Sequence, residues 1–371
     1  LGMMPKYMEV FLAVRWRVRR PGSRSFCGGP MYYCARGIPH PIGKLLAVLF
    51  CIFCILSSLS SGSMVQTNAI AQSMQQSFSV SPSLCAVVLV LVCGWVLHGG
   101  CDRAVQTCSA LVPWMSALYL FGCGIILFHF RQNIPSAFSQ ILTQAFSSGG
   151  IAGAAGSGVG FFTCVRVGIS RGIFTHEAGL GSASIAHACS GADSPVEQGF
   201  WGIFEVFCDT ILVCTITALS ILASGVPLGA SGAYQAFCSV MGKTGGRLLG
   251  ISLSLFAFAS VISFCLYGQR CVEYLFGDSR RALSLYRCIF LVGCAAGCFA
   301  RLPVVFALAD LLNACLLLPN LIVLLILSPQ VFSTTREYCL KGATHLCSSV
   351  HSNPVPSSKS CCVQRQSSRR S

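Results

Sequence analysis

Residues 169–188 read ISRGIFTHEAGLGSASIAHA, and this stretch carries charges and glycines inside an otherwise apolar chain. It contains Arg171, His176, Glu177 and His187. A charged side chain at the centre of a membrane helix costs about 2.5–3.5 kcal/mol on insertion scales, and a glycine costs about 1 kcal/mol relative to alanine in a helix. We therefore expect the helix to be broken here, because irregular backbone at membrane depth persists only where it is buried in protein or lines a cavity.

A broken helix offers chemistry that a continuous helix does not. Its free N–H and C=O groups can bind a carboxylate or a cation, as in the discontinuous helices of transporters. Close helix packing is the alternative explanation of the glycines, and we favour it for GGIAGAAGSGVG at 149–160, which follows the small-xxx-small pattern. For residues 172–181 we favour a functional break, because packing does not account for Glu177.

The composition indicates an all-α polytopic membrane protein. The 371 residues are 54% hydrophobic and 10% charged, whereas an ordinary soluble chain is about 25% charged. Apolar runs of the roughly 20 residues that a membrane helix needs recur along the chain, and they lack the alternation of a β-barrel. The net charge of +14 does not indicate nucleic-acid binding, because the basic residues lie in short loops and in the C-terminal segment.

The 24 cysteines do not indicate a metal or redox centre. Most of them lie singly within apolar runs, where a free cysteine behaves as a small hydrophobic residue. Cys51 and Cys54 have the spacing of a metal or redox motif, but the run CIFC lies inside an apolar segment, so we expect both side chains to face lipid or the helix interior.

The apolar runs predict eight membrane spans, the fourth of them interrupted: 44–62, 83–100, 112–130, 155–190, 199–224, 249–269, 286–300 and 303–328. Residues 1–14 are expected to be the end of one further helix. We predict a transmembrane domain over 1–328 and a basic, Ser-rich, disordered tail over 329–371. The arginines of RWRVRRPGSR at 15–24 place this loop, and with it the tail, on the cytoplasmic side of the cell membrane.

Other polar residues lie within or beside the predicted spans. Glu205 and Asp209 are four residues apart on one helical face, which suits a cation or proton site if that face points inward. Two interfacial acids near a helix start are the alternative, since the helix dipole favours anions there. Gln66 lies in SGSMVQTNAIAQ, where amides either face a cavity or hydrate a helix end, and Ser260 lies in LFAFASVISFCLYGQR.

Taken together, these segments resemble the sodium:alanine symporters, also called alanine or glycine:cation symporters. The likeness runs through KYMEVFLAVRWR, GGPMYY, GSMVQTNAIA, RGIFTHEAGLGSASIAHA and LFAFASVISFCLYGQR, in the order expected for the family. The resemblance implies a leucine-transporter-like fold of two inverted helical repeats. It also implies a site near the membrane midplane for sodium and a small neutral amino acid.

The resemblance carries site residues onto this sequence. It implies substrate contacts at the third-helix residue, at the broken helix and at the eighth helix, and these positions are Gln66, Phe174, Thr175, Gly179, Ser260 and Phe264. Ser260 falls on a threonine and Phe264 on a tryptophan of the family pattern FAFSTILGW. For cation binding or coupling we predict Ser260, Glu177 and Asp209. No organic cofactor is expected, and the coupling ion is sodium or a proton.

The sequence also departs from the family pattern. A broken first core helix with a Gly-Thr-Gly-Asn-Ile-Ala-Gly-like motif is absent, so we expect an N-terminally truncated member that lacks this helix and most of the second. The usual FSNEAG reads FTHEAG, which puts His176 in place of an amide. Ala259 stands where a serine would help to hold sodium.

The sequence suggests three alternative functions. The first is a symporter that imports alanine, glycine or D-alanine with sodium by alternating access. The second is a transport-incompetent remnant, or one half of a split transporter that needs a separately encoded N-terminal fragment. The third, a membrane enzyme that uses His176 and Glu177 as acid and base, is disfavoured because no nucleophile has a positioned base at a fixed spacing.

Overall fold

The computed structural model describes residues 2–19, 26–146, 161–229 and 231–351, and helices dominate this part of the chain. Helix α1 is followed by a short antiparallel pair of strands, β1 and β2, and then by α2 to α7. The bounds are α1 Met3–Arg15, β1 Val18–Arg19, β2 Phe26–Cys27, α2 Pro30–Gly37, α3 Ile42–Ser57, a first π-helical segment Ser58–Val65, α4 Gln66–Phe78, α5 Pro82–His98, α6 Gly100–His129, a 3₁₀ turn Arg131–Asn133 and α7 Ile134–Phe146.

The described residues from 161 onward form seven α-helices, of which the first two are separated by an unwound segment. The bounds are α8 Phe161–His176, α9 Ser184–Ala188, α10 Pro195–Val206, a second π-helical segment Phe207–Val213, α11 Cys214–Ala223, α12 Gly232–Phe276, α13 Arg280–Gly297 and α14 Leu302–His351. Helix α12 is interrupted at Gly242, whose φ is 58°.

The prediction of a polytopic helical membrane protein is confirmed. Within the described ranges, five helical stretches are long and apolar enough to cross a membrane, and Pro82–His98 is a shorter apolar helix. The five are Ile42–Phe78, Arg103–His129, Pro195–Ala223, Gly232–Phe276 and Leu302–Lys341. Seven of the eight predicted spans lie mostly on helices, whereas the interrupted span 155–190 covers two helices separated by residues 177–183, and its residues 155–160 fall outside the described residues. The two-residue strands were not predicted and are too short to change the class.

Serine caps explain where three of the helices begin. The hydroxyl oxygens of Ser81, Ser194 and Ser279 accept the backbone N–H three residues further on, at 3.3, 3.3 and 3.5 Å. Pro82 and Pro195 follow two of these caps, where a missing N–H costs nothing. The sequence therefore sets these starts locally.

The core is organised around α12, which packs against α3, α4, α6 and α13. One buried cluster contains Cys93, Val261, Cys265, Phe290 and Cys294. These thiols pack as small apolar side chains, which agrees with the expectation from the sequence.

The chain divides into two compact units, residues 1–328 and 329–371. The sequence predicted disorder from residue 329 onward. The described residues 329–351 instead continue α14 as a helix, and an ion pair between Glu337 and Lys341, at 2.7 Å, links one turn of it. The serine content that suggested disorder is concentrated later in the tail, and residues 352–371 lie outside the described residues.

Candidate functional site

The predicted helix break is present and begins one residue after His176. Helix α8 ends at His176 and α9 begins at Ser184, so residues 177–183 are unwound. Glu177, Gly179 and Gly181 have φ values of 52°, 91° and 79°. Glycine adopts this left-handed region without a steric cost, and a non-glycine residue such as Glu177 adopts it only when its surroundings hold it there.

A small polar cavity lies beside this unwound segment. Its volume is about 260 Å³, and its walls come from the first π-helical segment, α4, α8, the unwound segment, α12 and α14. The lining residues are Ser61, Gln66, Phe174, Thr175, Glu177, Leu180, Ser260, Phe264 and Asn313. The structure thus brings together six of the residues that the sequence singled out: Gln66, Phe174, Thr175, Glu177, Ser260 and Phe264.

The first π-helical segment explains how one wall is built. Hydrogen bonds in a π-helix join residues five apart, and π-helical turns are frequent at functional sites. Ser61 and Gln66 are five apart, and the Gln66 side-chain N–H donates to the Ser61 carbonyl at 3.4 Å. Both residues line the cavity.

Two hydroxyl oxygens in the lining are oriented as acceptors. Thr175 Oγ1 donates to the Arg171 carbonyl at 2.9 Å, and Ser260 Oγ donates to the Phe256 carbonyl at 3.1 Å. Because each proton is engaged within its own helix, the remaining lone pairs are available to a cation or to a ligand N–H. Hard cations prefer such oxygen ligands.

Nine described residues line the cavity, and Glu177 is the ionisable residue among them. Its Oε2 accepts a hydrogen bond from Ser182 Oγ at 2.7 Å, which holds the carboxylate in place. The amides of Gln66 and Asn313 add donors and acceptors. The cavity therefore suits a small ligand with a positive group.

An ion pair and two aromatic rings join α8 to α14 next to the cavity. Arg171 Nη2 lies 2.6 Å from Asp310 Oδ2, and its guanidinium carbon lies 4.7 Å from the Phe306 ring centroid. The rings of Phe174 and Phe306 pack with centroids 5.7 Å apart. Arg171 is thus paired with an acid on a neighbouring helix.

Two predicted site residues do not reach this cavity. Gly179 borders a second cavity of about 480 Å³, between α1, α8, the second π-helical segment and α14. Asp209 is exposed, whereas Glu205 points inward and lies 3.2 Å from Lys6. Glu205 and Asp209 lie on either side of the point where the α-helix becomes a π-helix, at Phe207, and neither acid is among the described residues that line the cavity.

The freed backbone groups of the break are not bare, contrary to the expectation from the sequence. Lys6 Nζ donates to the His176 carbonyl at 3.2 Å, and Asn320 Nδ2 donates to the Gly179 carbonyl at 2.8 Å. The Ala178 N–H donates to His176 Nδ1 at 3.0 Å, so the histidine ring supplies an acceptor where the family has an amide. Side chains of the protein thus bind backbone C=O and N–H groups that we expected to be free to bind a ligand.

Sequence reasoning missed Lys6, Glu9 and Asn320. Lys6 and Glu9 are fully buried on α1, and Asn320 is fully buried on α14. The sequence does contain a sign of these contacts, since a lysine, a glutamate and an asparagine stand within apolar runs. Ionisable and amide side chains inside membrane segments pair with one another or with backbone carbonyls, so each of the three predicts a partner. Ser61 and Asn313 of the cavity gave a similar but weaker signal.

Arg17 also has a structural partner, although its loop was interpreted only as a marker of orientation. Its guanidinium donates to the carbonyls of Ser190 and Ala192 at 2.7 and 2.5 Å, just beyond the end of α9. The same group lies 3.8 Å from the Phe26 ring centroid. A cation at this position stabilises the negative end of the helix.

Membrane-spanning helices, one of them unwound beside a small polar cavity, define the class as a multi-pass helical membrane transporter. The chain belongs to the sodium:alanine symporter family, whose model matches residues 1–349. Members of this family are transporters, so the hypothesis of a membrane enzyme is wrong.

Named relatives agree with this assignment. The sodium/alanine symporter AgcS of Methanococcus maripaludis is 36% identical over 346 residues, which cover 91% of this chain and 74% of the relative. The amino-acid carrier protein AlsT of Bacillus subtilis is 30% identical, with 91% and 71% covered. The probable sodium/glutamine symporter GlnT of Bacillus subtilis is 29% identical, with 91% and 70% covered. The family supports sodium as the coupling ion.

Proposed function

We propose that this protein is a secondary active transporter that imports a small neutral amino acid, such as alanine, glycine or D-alanine, together with sodium. The observation that carries the proposal is the cavity of about 260 Å³ beside unwound residues 177–183. Pockets for drug-sized ligands measure about 300–1,000 Å³, so this cavity favours a smaller solute. Membership of the sodium:alanine symporter family supports the same conclusion.

The lining can bind both ends of a zwitterion and a cation. The Glu177 carboxylate attracts a positive group, either the substrate ammonium or sodium. The hydroxyl oxygens of Thr175 and Ser260 provide neutral ligands for sodium, while the Gln66 amide orients the substrate. The Phe264 ring lines the same cavity and offers an apolar contact to a short side chain.

The transport cycle follows from the broken helix. In a leucine-transporter-like fold of inverted repeats, alternating access moves helical bundles around a fixed central site. We place the Arg-rich loop at 15–24 and the C-terminal segment in the cytoplasm, in agreement with the positive-inside rule. The alternative of a remnant or a split transporter with a separate N-terminal fragment gains no support from the comparisons.

Sodium-driven uptake into proteoliposomes tests this proposal. With an inward sodium gradient, radiolabelled alanine should accumulate above its external concentration, and a sodium ionophore should abolish the accumulation. Matched vesicles with potassium in place of sodium provide the control, and unlabelled glycine, D-alanine and glutamine rank the substrates by competition. Correctly folded protein that shows no sodium-dependent accumulation of any of these amino acids would refute the proposal.

A further inference from the structure

Asn320 of α14 contacts three separate parts of the fold with a single buried amide. Its Oδ1 accepts a hydrogen bond from the Tyr33 hydroxyl of α2. Its Nδ2 donates to Glu9 Oε1 of α1 at 2.7 Å and to the Gly179 carbonyl at 2.8 Å. Both N–H groups of the amide are therefore engaged, one on α1 and the other on the unwound segment.

The unwound segment lies directly against this amide at a second position. A Cβ atom at Gly181 would lie 3.0 Å from Asn320 Cγ and 2.5 Å from Pro30 Cγ, so the backbone approaches both side chains closely. The fully buried Glu9 carboxyl also faces the backbone of Gly179 and Gly181. Asn320 and Glu9 thus form one polar contact surface behind the break.

The opposite side of the unwound segment forms the cavity wall. Glu177 and Leu180 line the cavity, and Asn320 is not among the described lining residues. Leu180 lies between the two glycines that rest on Asn320 and Glu9. Any displacement of the Gly179 carbonyl therefore moves the wall of the cavity, although Asn320 itself does not face the ligand.

We propose that Asn320 is a positioning residue, which ties the unwound segment to α1 and α2 and so holds Glu177 and Leu180 in the geometry that binds substrate. The effect on substrate affinity rests on the proposed function. The effect of Asn320 on the order of the unwound segment does not depend on the proposed function.

Asn320→Ala in the full chain tests this role, with Asn68→Ala as the matched control. Asn68 is also a buried amide, and it donates to the carbonyls of Gly297 and Ala300 at 2.9 and 2.8 Å, away from the unwound segment. In Asn320→Ala, amide hydrogen exchange of residues 177–183 should become about tenfold faster and the KM for alanine about tenfold higher, the equivalent of roughly one hydrogen bond. Asn68→Ala should lower the Tm and leave both quantities close to wild type.

A double variant separates positioning from stability. In Asn320→Asp with Glu9→Gln, the new carboxylate accepts hydrogen bonds from the Gln amide and from Tyr33, but it has no N–H to give to the Gly179 carbonyl. We expect the Tm to recover relative to Asn320→Ala, while exchange at 177–183 stays fast and KM stays high. The proposal would be overturned if the double variant recovered the Tm, the slow exchange and the low KM together. It would also be overturned if exchange at 177–183 were unchanged in Asn320→Ala, or if Asn68→Ala changed exchange and KM as much as Asn320→Ala does. If wild-type protein transports no amino acid, the exchange measurement still decides the role of Asn320, and the failure belongs to the proposed function.

Discussion

Replacing Lys6 by methionine is expected to destabilise the protein strongly and to abolish uptake. The Lys6 ammonium is fully buried, lies 3.2 Å from Glu205 Oε1 and donates to the His176 carbonyl at the end of α8. Removing one partner of a buried ion pair costs about 3–5 kcal/mol. We expect about 3 kcal/mol, because Glu205 keeps a hydrogen bond with His187 at 2.9 Å and retains some contact with solvent.

Two comparisons make the Lys6 prediction specific. Lys341→Met breaks an exposed pair with Glu337, and such pairs contribute only about 0–1 kcal/mol, so its Tm in detergent should stay near wild type. Lys6→Met with Glu205→Gln should recover part of the lost Tm, since no carboxylate is left unpaired. A Tm for Lys6→Met equal to that of Lys341→Met would contradict the structural role assigned to this ammonium.

Gly181→Ala is expected to be nearly as damaging. The backbone at Gly181 has φ 79°, and an added Cβ would lie 2.5 Å from Pro30 Cγ. An L-residue in the left-handed region costs about 1–2 kcal/mol, and overpacking a tight site adds about 1–3 kcal/mol. We expect a lower Tm and loss of sodium-driven uptake.

Gly172→Ala is the matched control for this change within the same stretch. A Cβ at Gly172 meets no heavy atom within 4 Å, and the residue lies in the regular helix α8. Alanine there should stabilise α8 by up to about 1 kcal/mol. If Gly172→Ala lowered the Tm and uptake more than Gly181→Ala does, the left-handed backbone of the unwound segment would not be essential for transport.

The sequence was sufficient to predict the break and most of the cavity lining. Gly179, Gly181 and Glu177 lie close together in the chain, and the cost of a charge and of glycines in a membrane helix is a local property. The convergence of Gln66, Ser260 and Phe264 on one cavity followed from the family resemblance, since these residues are far apart in sequence.

Other features depend on contacts that no local pattern encodes. Glu9 and Asn320 are 311 residues apart, so only the fold reveals that they meet at Gly179. Asp209 lies outside the described cavity lining, and its spacing from Glu205 in the sequence does not show which side chains form that lining.

Equilibrium binding of radiolabelled alanine to purified protein, with and without sodium, tests the central claim most directly. The claim is that the cavity beside residues 177–183 holds both the amino acid and sodium. We predict that Gln66→Ala weakens alanine binding about tenfold, as loss of one hydrogen bond implies, that Ser260→Ala lowers the apparent affinity for sodium, and that Asp209→Asn binds like wild type. Normal binding in both cavity variants, with sodium dependence lost in Asp209→Asn, would contradict the account.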